Sequence, residues 1–294
     1  MLVKEIIQKT TRFFQDKGFS SPRLDTELLL AHALGWERMK LYLNYDYPLN
    51  EQELVKAREL VRRRLTGEPI AYIVGKKDFF KASFKVNSSV LIPRPETELL
   101  VEYVLTWSDS EEMNIVDFGT GSGCIGLSLL LERSESKLLA VDLSQDAIGV
   151  ARENAENLGL SNRVLFMAKD VKDLQLSEVR DFFSGCNPDV IVGNPPYIAI
   201  DDEQVSDEVK KFEPGMALFS DDSGLKQISV WAQKAGQFIK PGGLVIFEIG
   251  HDQGQAASKI FEDLNILTEI QIRQDLSGLD RFVLGVRNGD IVHG

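Results

Sequence analysis

A doubly wound, mostly parallel α/β sheet behind a small all-helical domain is the fold class the sequence predicts, and three observations predict it. From residue 114 onward, short apolar runs alternate with amphipathic stretches, the pattern of strands joined by crossover helices. Ahead of residue 76 only helical spacing recurs. The last two apolar runs are separated by Leu276-Ser277-Gly278-Leu279-Asp280. That is too short for a parallel crossover, so these two strands must pair antiparallel.

Taken in order, apolar residues recur at helical spacing over residues 3–15, and again in LDTELLLAHALG after the start signal Ser21-Pro22. A further amphipathic helix fits NEQELVKARELVRRRL and stops at Thr66-Gly67-Glu68-Pro69. In residues 77–92, KDFFKASFKVNSSVLI, aromatic and β-branched alternation around Asn87-Ser88 reads as a hairpin-like connector. A helix from Glu96 to about Trp107 leads into the sheet. The strand candidates are NIVDFG, KLLAVDL, VLFMAKD, DVIVGN, GLVIFEIG, LTEIQIRQD and RFVLGVR. Between the second and third, SQDAIGVARENAENLG carries Ser144 as its N-cap and Gly159 at its end. The expected organisation is a helical domain over residues 1–75, a connector over 76–95 and an α/β domain over 96–294.

Composition narrows the function classes. With 43% hydrophobic residues over 294 positions, the chain can build an ordinary globular core. No apolar run is long enough to span a bilayer. The N-terminal MLVKEIIQKTTRFFQ has Lys4, Glu5, Lys9 and Arg12 among its apolar residues, and reads as an amphipathic helix rather than a signal or transit peptide. A cytoplasmic monomer without membrane association is expected. Cys124 and Cys186 form no CxxC, and His32, His251 and His293 are scattered, so neither a disulfide framework nor a metal site is indicated. The net charge of −12 is uneven: residues 1–75 carry 12 Lys+Arg against 10 Asp+Glu, net +2, leaving 21 against 35, net −14, for the rest. Such an acidic body disfavours stable binding to a nucleic-acid backbone. The basic run Arg62-Arg63-Arg64 leaves room for RNA contact through a small surface, but on a helix it reads as a solvated face.

In sheets of this kind, ligands bind at the carboxyl ends of the strands, near the point where strand order reverses. The first strand ends in Asp117-Phe118-Gly119-Thr120-Gly121-Ser122-Gly123, after which a helix opens at about Cys124. Glycines let a backbone turn sharply and approach a ligand closely. GSGCIG also fits the dinucleotide pattern GxGxxG, so this loop alone does not separate a nicotinamide site from an adenosyl one. The second strand ends at Asp142, 23 residues after Gly119, where a carboxylate can accept from ribose hydroxyls. The third ends at Asp170-Val171, where the acid can accept from an exocyclic adenine amine and the valine can pack on the ring. The fourth ends in Asn194-Pro195-Pro196-Tyr197. Proline fixes its own φ and pushes the residue before it into the extended region. Asn194 and Pro195 both precede a proline, so this loop is stiff, offers carbonyl acceptors and gains no donor from its prolines.

This order of strand-end motifs resembles the class I S-adenosylmethionine-dependent methyltransferase fold, Rossmann-like with a mostly parallel seven-stranded sheet. The Asn-Pro-Pro-Tyr loop resembles the branch that methylates planar nitrogens, whose lone pair is delocalised and reacts poorly. The two N–H groups of such a nitrogen can donate to the Asn194 side-chain oxygen and the Pro195 carbonyl, while Tyr197 stacks on the planar group. Catalysis would then rest on proximity and preorganised dipoles.

The flanking sequence narrows the resemblance. SPRLDTELLLAHALG, GEPIAYIVGKKDF and LIPRPETELLVE, followed by DFGTGSGCIGLSL, GNPPY, EPGMAL, GGLVIFEIG and DLSGLDRFV, resemble the HemK/PrmC family in the family's own order and over nearly the whole chain. The resemblance implies methylation of the glutamine side-chain amide in the Gly-Gly-Gln motif of class I peptide chain release factors. S-adenosylmethionine would be the donor and S-adenosylhomocysteine the product, and the helical N-terminal domain would help recognise the partner. Carried onto this sequence, the donor is held by Gly119, Thr120, Gly121, Ser122, Gly123, Asp142, Asp170, Val171 and Asn194. The glutamine is held by Asn194, Pro195, Pro196 and Tyr197, with Asn194, Pro195 and Tyr197 catalytic. The segment Pro93-Arg94-Pro95-Glu96-Thr97 either lines the donor pocket or forms a rigid entry to the next helix. Gly215 departs from the family, since many relatives carry a basic residue after Glu-Pro. One alternative is a non-catalytic adaptor that binds the donor or a release factor, against which the intact Asn-Pro-Pro-Tyr and glycine loops count; the other is an adenine methyltransferase acting on DNA or RNA, which shares the Asn-Pro-Pro-Tyr patch. It needs a basic target-reading face, and net −14 after residue 75 counts against it.

Overall fold

The computed structural model describes residues 1–200, 202 and 205–289, so His293 lies outside the described residues. The chain divides into two compact units, Met1–Lys76 and Lys77–Gly294.

The first unit is helical, with α1 (Val3–Asp16), α2 (Pro22–Leu34), α3 (Arg38–Leu43), α4 (Glu51–Leu65) and α5 (Ile70–Val74). Val3, Ile6, Ile7, Leu30, Leu41 and Ala57 meet in its core. Pro22 takes the first position of α2, and Gly35 ends that helix in the left-handed region at φ 64°. Asn50 starts α4 by accepting the Glu53 N–H at 3.0 Å, while the Glu53 carboxylate accepts the Asn50 N–H at 2.9 Å. The short helices α3 and α5, of 6 and 5 residues, escape a periodicity reading that needs about 11 residues or more. The arginine run requires a correction. Arg62 is exposed and Arg63 half-buried, but Arg64 is buried, donating to the Asp25 carboxylate at 2.9 Å and the Glu68 carbonyl at 3.2 Å. Three consecutive helical residues sweep most of a turn, so one of them faces the core.

The second unit begins one residue into a hairpin of β1 (Lys76–Phe79) and β2 (Ala82–Lys85). Its turn is Phe80-Lys81, not Asn87-Ser88. Phe80 adopts φ 53°, a conformation for which an aromatic residue gives no sequence signal. Asn87 bends the chain after the hairpin, its side-chain oxygen accepting the Ser89 N–H at 2.9 Å. There follow α6 (Glu98–Trp107), β3 (Asn114–Phe118), α7 (Cys124–Glu132), β4 (Lys137–Asp142), α8 (Gln145–Asn157), β5 (Val164–Ala168), α9 (Leu176–Phe182) and β6 (Val190–Gly193). Between β6 and the next long strand lie β7 (Ile198–Ala199), α10 (Asp207–Phe212), α11 (Gly215–Leu218), β8 (Phe219–Ser220) and α12 (Lys226–Phe238). The unit closes with β9 (Leu244–Glu248), α13 (Gly254–Asp263), β10 (Leu267–Gln274) and β11 (Asp280–Arg287).

Seven of these strands form one sheet in the order β10-β11-β9-β6-β3-β4-β5. The β9-β6-β3-β4-β5 ladder is parallel, and β11 runs antiparallel to both β9 and β10, as the short last connection requires. Alternate strand residues enter two cores. Val116, Phe118, Ile191, Val245 and Phe247 face the side covered by α9, α12 and α13, whereas Ile115, Leu138, Val190, Val192 and Ile246 face α6 and α7. Burial on both faces explains why the strands read as continuous apolar runs.

Candidate active site

Strand order reverses between β3 and β6, and their carboxyl ends open into one cavity. Gly119, Thr120, Gly121, Ser122, Asp142, Asp170, Val171, Asn194 and Pro196 line it together. Gly123, Pro195 and Tyr197 are not among the described lining residues. Gly123 is occupied as the N-cap of α7, Pro195 is buried, and Tyr197 directs its hydroxyl to the Glu248 carboxylate at 3.1 Å. Pro93, Arg94 and Thr97 do line the cavity. So do Pro214, Met216 and Ala217, the neighbours of Gly215.

The glycine loop is held from below. Gly119, Gly121 and Gly123 have φ of 66°, 55° and 82°, all in the region that an L side chain adopts only at a cost. Asp142 supports the loop at its middle: one carboxylate oxygen accepts the Gly121 N–H and the other the Ser144 N–H, each at 2.9 Å. Asn154 supports it from α8, donating to the Ser122 carbonyl at 2.8 Å and exchanging bonds with the Lys85 backbone in β2. Asp117, buried at the end of β3, accepts from the Thr120 hydroxyl at 2.8 Å and the Gly126 N–H at 3.2 Å. Beneath Gly119 and Gly193 lies the Trp231 ring, packed edge-on against Phe118 and Phe247.

At the mouth, Arg94 donates to the Glu213 carboxylate at 2.7 Å, and that buried acid also accepts the Ile92 N–H at 3.1 Å. The segment before α6 is therefore tied to the Glu-Pro turn that opens α11. Sequence reading missed Glu213, Glu248 and Trp231. Glu248 left a signal, being an acid at the end of an otherwise apolar strand LVIFE, where an unpaired charge would not be tolerated. Trp231 left none, because an aromatic residue on an amphipathic helix reads simply as core.

Comparison with known proteins decides the family. Residues 5–75 match the PrmC N-terminal domain, and residues 109–263 match a methyltransferase domain. A release factor glutamine methyltransferase of Nitratidesulfovibrio vulgaris is 40% identical over 91% of this chain and 89% of its own. The chain belongs to the release factor glutamine methyltransferase family. A Rhodopirellula baltica protein of the same description is 36% identical over 96% of this chain and 95% of its own. Among solved structures, the hMettl16 catalytic domain in complex with a 3′UTR hairpin shares the fold, with a TM-score of 0.55 and 15% identity over 82% of this chain and 84% of that one.

As a member of this family the chain is a methyltransferase that uses S-adenosylmethionine. The cavity suits that donor. Its wall includes two buried polar atoms, Ser122 Oγ and Trp231 Nε1, with no hydrogen-bond partner among the described residues, and such atoms call for a ligand or water. The Asp142 oxygens accept the Gly121 and Ser144 N–H groups, one each, and a carboxylate retains acceptor capacity beyond these for hydroxyl donors. Val90, Leu91, Leu143 and Val171 add apolar wall for a ring. Among the described residues no helix is long and apolar enough to cross a membrane.

Asp117 gives the site a pH signature. Burial raises its pKa to about 7, against the opposing bonds from Thr120 and Gly126. In the unfolded chain the same group titrates near about 4. Between these values the native state keeps a proton that the unfolded state has released, so stability falls as pH rises through this window. Asp117→Asn keeps an acceptor for Thr120 and Gly126 yet stays neutral throughout. Its thermal midpoint should exceed that of the parent at pH 8 and converge with it towards pH 5. A constant offset at both values would show that Asp117 ionises normally.

Proposed function

We propose that this enzyme methylates the side-chain amide nitrogen of the glutamine in the Gly-Gly-Gln motif of peptide chain release factors. The observation that carries the reading is the position of Asn194, on the wall of the same cavity as the glycine loop, Asp142, Asp170 and Val171. The relatives' descriptions as release factor glutamine methyltransferases supply the acceptor class.

In this reading Gly119 to Ser122, Asp142, Asp170 and Val171 hold the donor. When bound, S-adenosylmethionine supplies an activated methyl group and leaves as S-adenosylhomocysteine. Asn194 accepts from the acceptor amide with its side-chain oxygen, orienting the nitrogen and shifting electron density towards it. Pro195 and Pro196 stiffen that acceptor, so little reorganisation accompanies reaction. The anchored ring of Tyr197 fixes the far end of the loop. The helical unit formed by α1 to α5 serves partner recognition, and the enzyme acts as a cytoplasmic monomer without stable nucleic-acid binding.

A narrow Gly-Gly-Gln tip can bring its glutamine to a recessed pocket because glycines add no side chains beside it. A duplex adenine would first have to be flipped out, at a cost of a few kcal/mol, and the acidic α/β unit offers little to offset that. Labelled methyl from S-adenosylmethionine should therefore appear on a release factor and vanish when its Gly-Gly-Gln glutamine is replaced. Labelled adenine in DNA or RNA, with the release factor unmodified, would reassign the enzyme to nucleic acid.

A further inference from the structure

Glu248 ends β9, the strand beside β6, and the pairing of Gly193 with Phe247 brings it level with Asn194. Its side chain is almost wholly enclosed, the residue being 2% exposed. Two hydroxyls donate to it: Thr97 Oγ1 at 2.5 Å, from the segment that lines the cavity, and the Tyr197 phenol at 3.1 Å. Burial raises the Glu248 pKa, and the bonds from the Thr97 and Tyr197 hydroxyls oppose that rise by stabilising the carboxylate, which has lone pairs for both. Its negative charge, with burial, raises the Tyr197 pKa, so the phenol stays a donor.

The other end of Tyr197 is also fixed. Its carbonyl accepts from Gln253 Nε2 at 2.9 Å, and the same amide group donates to the Ser223 carbonyl at 3.0 Å. Gln253 Oε1 accepts the Gly250 N–H at 2.9 Å. Gly224 packs so closely that a Cβ there would lie 1.9 Å from the Tyr197 carbonyl oxygen. Three residues after Asn194, the loop is therefore clamped by its hydroxyl to one buried acid and by its backbone to the turn that follows β9.

We propose that Glu248 is a positioning residue for methyl transfer: by receiving Thr97 and Tyr197 together, it joins the cavity-lining segment before α6 to the loop that presents Asn194. The inference rests on the reading that Asn194 orients the acceptor nitrogen. Glu248 itself is not among the described residues that line the cavity. Removing it leaves the fold of the glycine loop intact, because Asp142, Asn154 and Asp117 hold that loop from other elements. The loss should fall on turnover rather than on donor binding.

Glu248→Leu, Glu248→Gln and Tyr197→Phe in the full chain test this, with kcat and KM on a release factor, calorimetric donor affinity and thermal midpoint read for each. Glu248→Leu should lower kcat by about tenfold or more, the scale of a lost hydrogen bond to a charged group. Donor affinity should stay within a few-fold of the parent. Glu248→Gln should recover most of kcat, because its side-chain oxygen still accepts from Tyr197. Tyr197→Phe should lower kcat, and combining it with Glu248→Leu should add little further, since Glu248→Leu already removes the bond that Tyr197→Phe removes. A lowered midpoint with unchanged kcat, or losses that simply multiply, would overturn the assignment. If Glu248→Leu does not fold, Thr97→Val and Tyr197→Phe must each lower kcat without weakening donor binding; unchanged kcat in either defeats the proposal. Failure of the parent enzyme to label any release factor would instead sink the functional reading on which this rests.

Discussion

Asn194→Ala is expected to lose methyl transfer by about a hundredfold or more, comparable to deleting one preorganised polar contact at a reacting group. Asn194 follows directly on β6, whose last residue, Gly193, is wedged between the Trp231 ring and the Phe118 carbonyl. It precedes Pro195, which restricts its backbone to the extended region. The side chain thus projects from a backbone that cannot relax to compensate for its loss. Donor affinity should change far less, because the glycine loop, Asp142 and Asp170 lie on the other strand ends. Single-turnover methylation of a release factor, set beside calorimetric titration of S-adenosylmethionine, separates the two effects. Turnover at the parental rate would remove Asn194 from the acceptor clamp. An equal collapse of donor affinity would make it a donor ligand first.

The sequence showed what repeats and what is chemically abrupt. Parallel strands buried on both faces appear as apolar runs such as NIVDF and KLLAV, and their ends stand out because glycine, acid or proline interrupts them. That is why the sheet, its antiparallel closing pair and the lining positions at 119–122, 142, 170–171 and 194 were all legible. What escaped depends on partners distant in sequence. Arg64 reads as surface until Asp25 is placed against it. Nothing local to Tyr197 shows that Glu248, 51 residues later, takes its hydroxyl. The hairpin turn at Phe80 defied turn chemistry because tertiary packing holds it: Phe80 packs against the same core as Phe79 and Phe84. Local propensity carries no information about such long-range pairings.

Gly119→Ala should be the most damaging single change in the donor loop, for two separable reasons. The first is conformational: φ of 66° places any L side chain in the left-handed region, at roughly 1–2 kcal/mol. The second is steric. A Cβ at this position would stand 2.4 Å from Trp231 Cη2, and the indole cannot swing aside. Trp231 is 4% exposed, and Phe118 and Phe247 hold it edge-on with ring centroids 5.9 and 6.1 Å away. Forcing a methyl into so dense a site typically costs about 1–3 kcal/mol, so the combined penalty is roughly 2–5 kcal/mol. Part of it should appear as a lower thermal midpoint, and part as a displaced loop with donor affinity weaker by about tenfold or more. The double variant Gly119→Ala with Trp231→Leu removes the steric share only. It should therefore bind the donor better than Gly119→Ala alone, while remaining below Trp231→Leu because the φ penalty persists. If the double variant binds no better than Gly119→Ala, crowding by the ring is not what demands glycine at position 119, and backbone conformation alone sets the requirement.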